Sequence, residues 1–574
     1  MLAQPTLSDR LIAYLNQLGV EYVFGIPGGH NAPLYAALLR SATRGGCAAV
    51  MTRHESGAVY MADGYARETG KLGVCCATTG PGATNLITGV ASAYAEHTPL
   101  LVITAQTMLS HFGWGAFQEC SPDTVDTLGM FAHCTRYNTL ISHPGQLDKK
   151  IYAALAAALN APQGPAHISI PVDLLRAPVA EGASELPDLR GLLHREMLDD
   201  AALEQAWQRL QACARERRKA VLLVGQDCPG ATAEIHALAE YLDAAIVTTQ
   251  GGKTWVAAHH PRVRGVFGFA GHASARQAVV EADLILALGT TLGQWATSNW
   301  DAVLLNEKLI HVHPIGEYFA RSAMAQLHVQ GHVRSVLQWC LERAAAPALP
   351  SWEEKPVEDA AALPPHIEVR DAANYHSPSP DERILPPRVI ALLQRHAPAA
   401  TRYLVDIGNW LAWTIHYSFP PQAECIRLSV GTAAMGWGIG AAVGTAFGNP
   451  STGSGHRRAT PVVCFTGDGC FLMHGNELSV AVEHRLRVIF VIINDQSYGM
   501  VRHRYQQVGS APLTFDLPPT DFSLLAQALG ATGYTLRNAE ELEQFDFAAL
   551  FQHDGPVVLD LRVDAGIVPP LGMF

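Results

Sequence analysis

The sequence predicts three doubly wound α/β domains with mainly parallel sheets. Two observations support this fold class: apolar runs of strand length alternate with helical segments along most of the chain, and 574 residues are too many for one hydrophobic core. The alternation falls into three blocks. The predicted domains cover residues 1–180, 190–345 and 384–574, and the Pro-, Ala- and acid-rich segment 345–383 is predicted to be an extended linker over the surface.

The first block opens with an amphipathic helix. Charges at positions 9 and 10 interrupt the first apolar stretch, so we do not expect it to be a secretory signal. Five apolar residues recur at helical spacing: Leu7, Leu11, Ile12, Leu15 and Leu18. The strand-like runs EYVFGI, AAVMT, LGVCCA and PLLVITAQ follow, with helical segments between them, and GPAHISIPVDLL closes the block. This order is typical of a doubly wound sheet.

Composition bounds the function before any motif is considered. Hydrophobic residues make up 48% and charged residues 16% of the chain, and no apolar run reaches the ~18 residues of a membrane-spanning helix. The net charge is −12 and no basic block occurs, which argues against nucleic acid or anionic membranes as partners. Eleven cysteines without paired spacing favour reduced thiols over disulfides or a zinc site. We therefore expect a soluble, cytoplasmic protein that acts on small molecules.

Two turns in the third block predict a metal and phosphate site. The apolar run 462–465 stops at a Gly-Asp-Gly turn around Asp468, and the apolar run 488–493 stops just before Asp495. Because the carboxyl ends of parallel strands meet at one edge of a sheet, these carboxylates can lie close together although 27 positions separate them. Two carboxylates and carbonyl oxygens beside a phosphate are typical of a Mg²⁺ or Ca²⁺ site. The alternative is an ordinary turn in which Asp468 caps a helix.

A further carboxylate, Glu55, follows a strand in the first block and starts the helical segment RHESGAVYMADGYAR. An acidic residue in a first helical turn is often only favoured by the helix dipole. The surrounding stretches indicate more. FGIPGGH, RHESGAVYMADGYAR, ATTGPGATN, AFQE, GPAHISIPVDLL and the GDG motif resemble the thiamin diphosphate (ThDP) family that includes acetolactate synthase, pyruvate oxidase and pyruvate decarboxylase.

The resemblance is strongest to acetolactate synthases and implies a role for each domain. The N-terminal domain would bind the aminopyrimidine of ThDP, and the C-terminal domain would bind its diphosphate and Mg²⁺. Glu55 would share a proton with ring nitrogen N1′, so that the cofactor's 4′-imino group can deprotonate C2. A glutamate in an apolar pocket can do this near neutral pH.

The resemblance also assigns site residues by position. Asp468 and Asp495 would bind Mg²⁺ through their side chains and Ser497 through its carbonyl, although the family usually has Asn at position 495. The predicted catalytic residues are Glu55, Gly29, His30 and Gln118. The predicted cofactor contacts are Glu55, Thr79, Asn85, Gly408, Asn409, Gly431, Met435, Gly467, Asp468, Gly469, Cys470, Asp495, Tyr498, Gly499 and Met500. The predicted substrate pocket comprises Phe117, Val501 and Arg504.

Three positions bear on the substrate. His30 replaces a small apolar residue of acetolactate synthases and is either a hydrogen-bonded loop residue or a proton donor or polar contact for substrate. Arg504 replaces a tryptophan, and a guanidinium would suit a carboxylate or another polar acceptor. Val501 stands where pyruvate decarboxylases carry a proton-donating glutamate, which favours carboligation over aldehyde release.

The resemblance thus implies a ThDP- and Mg²⁺-dependent enzyme, a transferase or lyase, which decarboxylates a 2-oxo acid such as pyruvate and transfers the acyl carbanion to a carbonyl acceptor. The alternatives are C–C cleavage or hydrolysis of a polar ketone or diketone, FAD-linked oxidation, and a non-catalytic cofactor-binding subunit. Whether the chain binds FAD stays open, because some relatives bind FAD but the second block lacks the dinucleotide-binding motif G-x-G-x-x-G. Glu55 and Asp468 lie about 410 residues apart, and both would touch one cofactor, so two domains have to face each other. Relatives bring these domains together between subunits, and the resemblance therefore implies a homodimer or homotetramer with ThDP in the interface.

Overall fold

The computed structural model describes residues 4–179, 186, 189, 198–344, 361–449, 460–507, 509 and 514–571. It contains three sheets of six strands, each with helices connecting its strands, and every strand pair within them is parallel. The prediction of three doubly wound α/β domains is therefore confirmed.

The N-terminal sheet has the strand order β2-β1-β3-β4-β6-β5. Its strands are β1 (Tyr22–Gly25), β2 (Ala48–Met51), β3 (Gly73–Ala77), β4 (Leu100–Gln106), β5 (Tyr137–Leu140) and β6 (Pro165–Pro171). Its helices are α1 (Leu7–Gln17), α2 (Ala32–Ala42), α3 (Glu55–Thr69), α4 (Pro81–Asn85), α5 (Ile87–Ala95), α6 (Thr127–Ala132), α7 (Leu147–Leu159) and α8 (Val172–Arg176), with short 3₁₀ helices at Leu109–His111 and Pro144–Gln146. The five predicted strand runs all form strands of this sheet.

The central sheet has the order β12-β11-β10-β7-β8-β9. Its strands are β7 (Ala220–Val224), β8 (Ala245–Thr248), β9 (Val263–Val266), β10 (Leu284–Leu288), β11 (Leu309–His313) and β12 (Leu327–Gln330). Its helices are α9 (Asp200–Arg215), α10 (Thr232–Leu242), α11 (Ala273–Glu281) and α12 (Val333–Arg343), with 3₁₀ helices at Gly251–Trp255 and Gly316–Ser322.

The C-terminal sheet repeats the topology of the N-terminal sheet, with the order β14-β13-β15-β16-β18-β17. Its strands are β13 (Arg402–Val405), β14 (Ile426–Leu428), β15 (Val462–Gly467), β16 (Val488–Asn494), β17 (Thr532–Leu536) and β18 (Val557–Arg562). The helices of this part are α13 (Ala373–His376), α14 (Pro386–His396), α15 (Asn409–Tyr417), α16 (Trp437–Gly448), α17 (Asp468–His474), α18 (Leu478–Glu483), α19 (Gly499–Gln507), α20 (Phe522–Ala528), α21 (Ala539–Gln544) and α22 (Phe547–Gln552), with a 3₁₀ helix at Gly475–Glu477.

Helices α3 and α16 join the N-terminal and C-terminal domains through backbone contact. A Cβ atom added at Gly64 of α3 would lie 2.1 Å from the carbonyl oxygen of Ala441, and one added at Gly444 of α16 would lie 1.9 Å from that of Met61. Glycine is therefore required at both positions for the helices to approach so closely. Because Glu55 is the first residue of α3, this packing also fixes its position relative to the C-terminal domain.

Most of the described part of the linker, residues 361–383, is exposed, but a few buried side chains anchor it to the fold. Ala361, Ile367 and Tyr375 are buried, and Tyr375 belongs to the short helix α13. Arg370 donates its backbone N–H to Nε2 of His416 at 2.9 Å, and Tyr417 donates its hydroxyl to the Arg370 carbonyl at 2.7 Å. This half of the segment contacts α15 because the burial of its scattered apolar side chains is favourable in free energy. Residues 345–360 of the predicted linker lie outside the described residues.

All eleven cysteines are buried and none is paired with another. Among the helices that the structure describes, none has the length and apolar character needed to cross a bilayer.

Candidate functional site

A cavity of about 240 Å³ lies at the carboxyl ends of β13, β15 and β16. Its walls are formed by Ile407, Gly408, Asn409, Trp410, Ala433, Met435, Gly467, Asp468, Gly469, Cys470, Ile493, Asp495, Ser497, Tyr498, Gly499, Met500 and Val501. These include every C-terminal residue predicted for the cofactor or metal except Gly431. The structure therefore brings together residues from four separate turns at the edge where parallel strands position ligands.

The register of the sheet places the two aspartates in neighbouring turns. Strands β15 and β16 pair so that Gly467 lies opposite Ile493. Strand β15 ends at Gly467 and β16 at Asn494, and the backbone of each then enters a turn. The backbone N–H of Gly469 donates to Oδ1 of Asp468 at 2.7 Å, and that of Ser497 donates to its Oδ2 at 3.3 Å. The Asp468 carboxylate thus ties the turn after β15 to the turn after β16.

The electrostatics of the cavity fit a cation. Burial raises the pKa of Asp468 to about 6, and burial together with the nearby Asp468 raises the pKa of Asp495 to about 7. Of the described residues that line the cavity, none is a lysine, arginine or histidine, although the charge of Arg502, which lies outside the wall, lowers the pKa of Asp495. Two carboxylates that repel each other in such a recess are stabilised by a hard divalent ion.

Side chains alone would not supply enough ligands for such an ion. Among the described residues, no group of three or more His, Cys, Asp or Glu side chains is placed to hold a metal. A cation between Asp468 and Asp495 would therefore need carbonyl oxygens and the oxygens of a bound phosphate. Mg²⁺ is commonly held in this way, by one or two carboxylates and substrate phosphates.

Gly499 and Gly469 keep the cavity open. A Cβ atom at Gly499 would lie 2.4 Å from Oδ2 of Asp495 and 2.5 Å from Nδ2 of Asn409. One at Gly469 would lie 2.8 Å from the ring of Tyr498. Asn409 opens α15, and its Nδ2 donates to Oδ2 of Asp495 at 3.4 Å, whereas its Oδ1 is buried without a hydrogen-bond partner. An unpartnered buried acceptor facing this recess is the kind of group that a bound donor satisfies.

Two predicted C-terminal residues lie outside the cavity wall. Gly431 is exposed, and its N–H donates to Oε1 of Glu96 at 2.6 Å, so it lies where the C-terminal domain meets the N-terminal domain. Arg504 is exposed on α19, about one turn beyond Val501.

The N-terminal predicted residues form a second group at the carboxyl edge of their own sheet. Glu55 is partly exposed, and Asn85 donates its Nδ2–H to Oε2 of Glu55 at 3.0 Å. A Cβ atom at Gly82 would lie 3.4 Å from Oε1, so that oxygen borders the glycine turn after β3. Gly29 is exposed in the turn after β1. The adjacent His30 is half-buried, its Nδ1 has no partner, and burial lowers its pKa.

Gln118, Phe117 and Thr79 belong to this second group. Gln118 is half-buried with a φ of 58°, and the hydroxyl of Thr79 donates to its carbonyl at 2.9 Å. Thr79 is fully buried and so supports the backbone of Gln118. The Phe117 side chain is 80% exposed.

Within one chain the two groups stay apart. Of the described residues, none from the N-terminal domain lines the cavity that contains Asp468, and Glu55 lies at the edge of a different sheet. The predicted residues therefore form two groups, which we call the N-terminal and the C-terminal half-site.

Sequence reasoning missed Glu477, which connects the two domains. Glu477 is 1% exposed, and its Oε1 accepts the backbone N–H groups of Arg53 at 3.2 Å and His54 at 2.9 Å, directly before Glu55. A Cβ atom at Gly57 would lie 2.1 Å from the same oxygen. The sequence indicated this role only by the position of Glu477, a charged residue at the start of the mainly apolar stretch ELSVAV.

Replacing Glu477 with Gln is expected to stabilise the protein increasingly as pH rises. Burial raises the pKa of Glu477 from 4.5 to about 7. The folded state therefore binds more protons between these values, and wild-type stability falls across that window by on the order of 3 kcal/mol. Gln keeps an acceptor oxygen for both amides and does not ionise.

The measurement is the difference in Tm between Glu477→Gln and wild type at pH 5 and pH 8. The difference should be larger at pH 8. Glu483→Gln removes an exposed acid that pairs with Arg53 and is the matched control, for which no such increase is expected. A pH-independent difference for Glu477→Gln would contradict the assignment.

Comparisons with known proteins match segments of all three domains. Three thiamine pyrophosphate enzyme models match the chain: the N-terminal TPP binding domain over residues 5–127, the central domain over 203–339 and the C-terminal TPP binding domain over 406–561. Acetolactate synthase of Arthrospira platensis is 30% identical over 564 residues, which cover 96% of this chain and 93% of that protein. The large subunit of acetolactate synthase isozyme 2 from Escherichia coli (strain K12) is 31% identical over 568 residues, which cover 97% and 96%.

Proposed function

Because the chain belongs to the thiamine pyrophosphate enzyme family, and to its acetolactate synthase-like members, we propose that it decarboxylates a 2-oxo acid such as pyruvate and transfers the acyl unit to a carbonyl acceptor. The observation that carries the proposal is the cavity in which Asp468, Asp495 and Asn409 meet at one sheet edge. When bound there, ThDP would supply the nucleophilic carbon to which the acyl unit is attached while carbon dioxide is lost.

The C-terminal half-site would hold the diphosphate and Mg²⁺. Asp468 and Asp495 would bind Mg²⁺ by their carboxylates and Ser497 by its carbonyl oxygen. Asp495 adds a negative charge where the family usually has Asn, so the ion must offset repulsion between this carboxylate and the diphosphate as well as between the two aspartates. The unpartnered Oδ1 of Asn409 and the glycine turns would face the same end of the cofactor.

The N-terminal half-site would hold the aminopyrimidine. Glu55 would share a proton with N1′ of that ring. Asn85 already donates to Oε2 of Glu55, so Oε1 remains for the cofactor. This hydrogen bond also restricts the rotation of the carboxylate, which favours the single orientation that proton sharing needs.

The substrate would lie between the two half-sites. Val501 lines the cavity and has no proton to donate, which favours transfer of the acyl unit over its release as an aldehyde. We assign the acceptor side to His30, Phe117 and Gln118. Arg504 lies on α19, about one turn beyond Val501, and its guanidinium would favour a carboxylate-bearing or otherwise polar acceptor.

The separation of the half-sites supports a homodimer, or a homotetramer built from such dimers. Each active site would take Glu55 from one subunit and Asp468 from its partner. The two half-sites of one chain would then serve two different cofactors, which explains why no N-terminal residue lines the cavity.

No flavin enters the proposal. In a doubly wound sheet a dinucleotide binds at the point where the strand order reverses, here between β7 and β10. A Cβ atom at Gly225 would lie 2.2 Å from the carbonyl oxygen of Gly289, and Asp227 donates its N–H to that oxygen at 2.8 Å. The described turns after these strands pack on each other, and whether FAD binds stays open.

The test is to incubate pure protein with ThDP, Mg²⁺ and pyruvate, with and without a panel of aldehydes and ketones, and to identify the products by mass. Pyruvate can itself serve as the acceptor, so carbon–carbon bond formation that depends on ThDP is the expected result. Release of free aldehyde alone, or cleavage of a diketone without ligation, would contradict the proposal. A visible absorption spectrum of the protein as purified tests for flavin in the same sample.

A further inference from the structure

The loop that carries Gln118 is bent in a way that needs external support. We call residues 113–121 the Gln118 loop. It follows β4 and contains three residues with left-handed backbone: Gly113 at φ 77°, Gly115 at φ 67° and Gln118 at φ 58°. Glycine adopts this conformation readily, but glutamine does so at a cost in free energy. The conformation of Gln118 is therefore maintained by contacts with its surroundings.

Glu119 supplies most of the contacts inside the Gln118 loop. It is only 7% exposed although it is charged. Its Oε1 accepts the backbone N–H of Gly113 at 2.8 Å and the hydroxyl of Ser121, and its Oε2 accepts the backbone N–H of Ala116 at 3.3 Å. One carboxylate thus connects both ends and the middle of the loop.

A second set of contacts fixes the loop to the sheet. The Thr79 hydroxyl donates to the Gln118 carbonyl, and Nε2 of Gln106, the last residue of β4, donates to the Cys120 carbonyl at 2.7 Å. A Cβ atom at Gly80 would lie 3.1 Å from the Cβ of Gln118. The peptide groups on both sides of Glu119 therefore have fixed positions relative to the carboxyl edge of the sheet.

The held loop exposes two large rings. Trp114 is 85% and Phe117 is 80% exposed, although aromatic side chains usually gain from burial. Hydrogen bonds to Glu119 at positions 113 and 116 flank Trp114 and limit its freedom. Exposed aromatic side chains on a rigid backbone are typical of binding elements.

We propose that Glu119 is a positioning residue for the acceptor end of the active site, which holds the Gln118 loop so that Gln118, Phe117 and Trp114 meet the acceptor bound against the partner subunit's cavity. This inference rests on the proposed carboligation and dimeric site. Glu119 acts through the loop and does not itself touch the substrate. Trp114, which was not among the predicted substrate residues, becomes part of the acceptor pocket.

The role requires an ionised carboxylate. The Ser121 hydroxyl and the backbone N–H of Gly113 lower the pKa of Glu119, so that both oxygens accept hydrogen bonds at neutral pH. In Glu119→Gln one oxygen becomes an NH₂ group, which cannot accept from a backbone N–H and is placed against another donor in either amide orientation.

The test compares Glu119→Gln with wild type, with Asp123→Asn as the matched control. Asp123 is an exposed acid next to the loop, and its backbone N–H donates to Oγ of Ser121 at 3.3 Å. Its substitution removes one negative charge and keeps this backbone hydrogen bond. We expect Glu119→Gln to raise the KM for the acceptor roughly tenfold, and to change ThDP affinity and the KM for the donor by less than about twofold. Hydrogen exchange of the full-length holoenzyme should become faster at residues 113–121.

Several outcomes would overturn the inference. Faster exchange with an unchanged acceptor KM would show that the loop is held but does not position the acceptor. An equal loss in donor, acceptor and cofactor parameters, together with a lower Tm, would show a general structural role. If Glu119→Gln does not fold, Ser121→Ala removes one donor from the same carboxylate, and a smaller rise in acceptor KM is expected from it.

A wild-type protein without any ligation product would instead refute the proposed function, while the exchange experiment would still report whether Glu119 holds the loop.

Discussion

Glu55→Gln is expected to lower the turnover number by about 100-fold or more, because a neutral amide cannot share a proton with N1′ of the cofactor. Gln has nearly the same shape and can keep the hydrogen bond from Asn85. The fold and the affinity for ThDP should therefore stay close to those of the wild type. The measurements are the steady-state rate at saturating ThDP, Mg²⁺ and donor, the Tm, and the dissociation constant of ThDP.

The matched control for Glu55→Gln is Asn85→Ala, which removes the side chain that orients Oε2 and leaves the acid in place. We expect a smaller loss of rate from it than from Glu55→Gln. A Glu55→Gln protein with a nearly normal rate would refute the proton-sharing role, whatever its stability.

Asp468→Ala is expected to weaken Mg²⁺-dependent ThDP binding by at least roughly 100-fold, because it removes the proposed Mg²⁺ ligand and the carboxylate that joins two turns. Its oxygens accept the N–H groups of Gly469 and Ser497, so the loss also frees both turns. Titration calorimetry with ThDP at several Mg²⁺ concentrations measures the effect. Binding that is unchanged and still depends on Mg²⁺ would place the metal elsewhere.

Asp495→Asn is the informative control for Asp468→Ala. It keeps an oxygen ligand, has the residue usual in the family, and removes a buried charge whose pKa is raised to about 7 by burial and by the nearby Asp468. We expect ThDP affinity to change by no more than about tenfold. A loss as large as that of Asp468→Ala would mean that the second charge is itself required for binding.

Mixing the two inactive variants tests the assembly. If Glu55 and Asp468 of one chain serve different sites, a mixed dimer of Glu55→Gln and Asp468→Ala subunits has one site with both residues intact. Random exchange of subunits should then restore about a quarter of wild-type activity. No recovery, although subunit exchange is demonstrated, would place both residues of one chain in the same site.

The motifs were predictable because they are local. Each strand and the turn after it lie next to each other in sequence, so the apolar runs before Asp468 and Asp495 were sufficient to place both residues at one sheet edge, where the cavity lies. The same reasoning placed Glu55 at the start of a helix after a strand. Strand period, glycine turns and polar residues at strand ends all depend on interactions within about ten residues.

Tertiary structure alone decided how these local pieces are held. Glu477 bonds to the backbone before Glu55 across 423 and 424 positions, and hydrogen bonds to α15 anchor residues 361–383. The bend of the Gln118 loop depends on which buried carboxylate its N–H groups can reach. The sequence by itself thus determined the family, the three sheets and the chemistry available at their edges. The separation of the two half-sites and the support of each were decided by packing, because contacts between distant residues depend on how whole faces fit together and leave no periodic pattern in the chain.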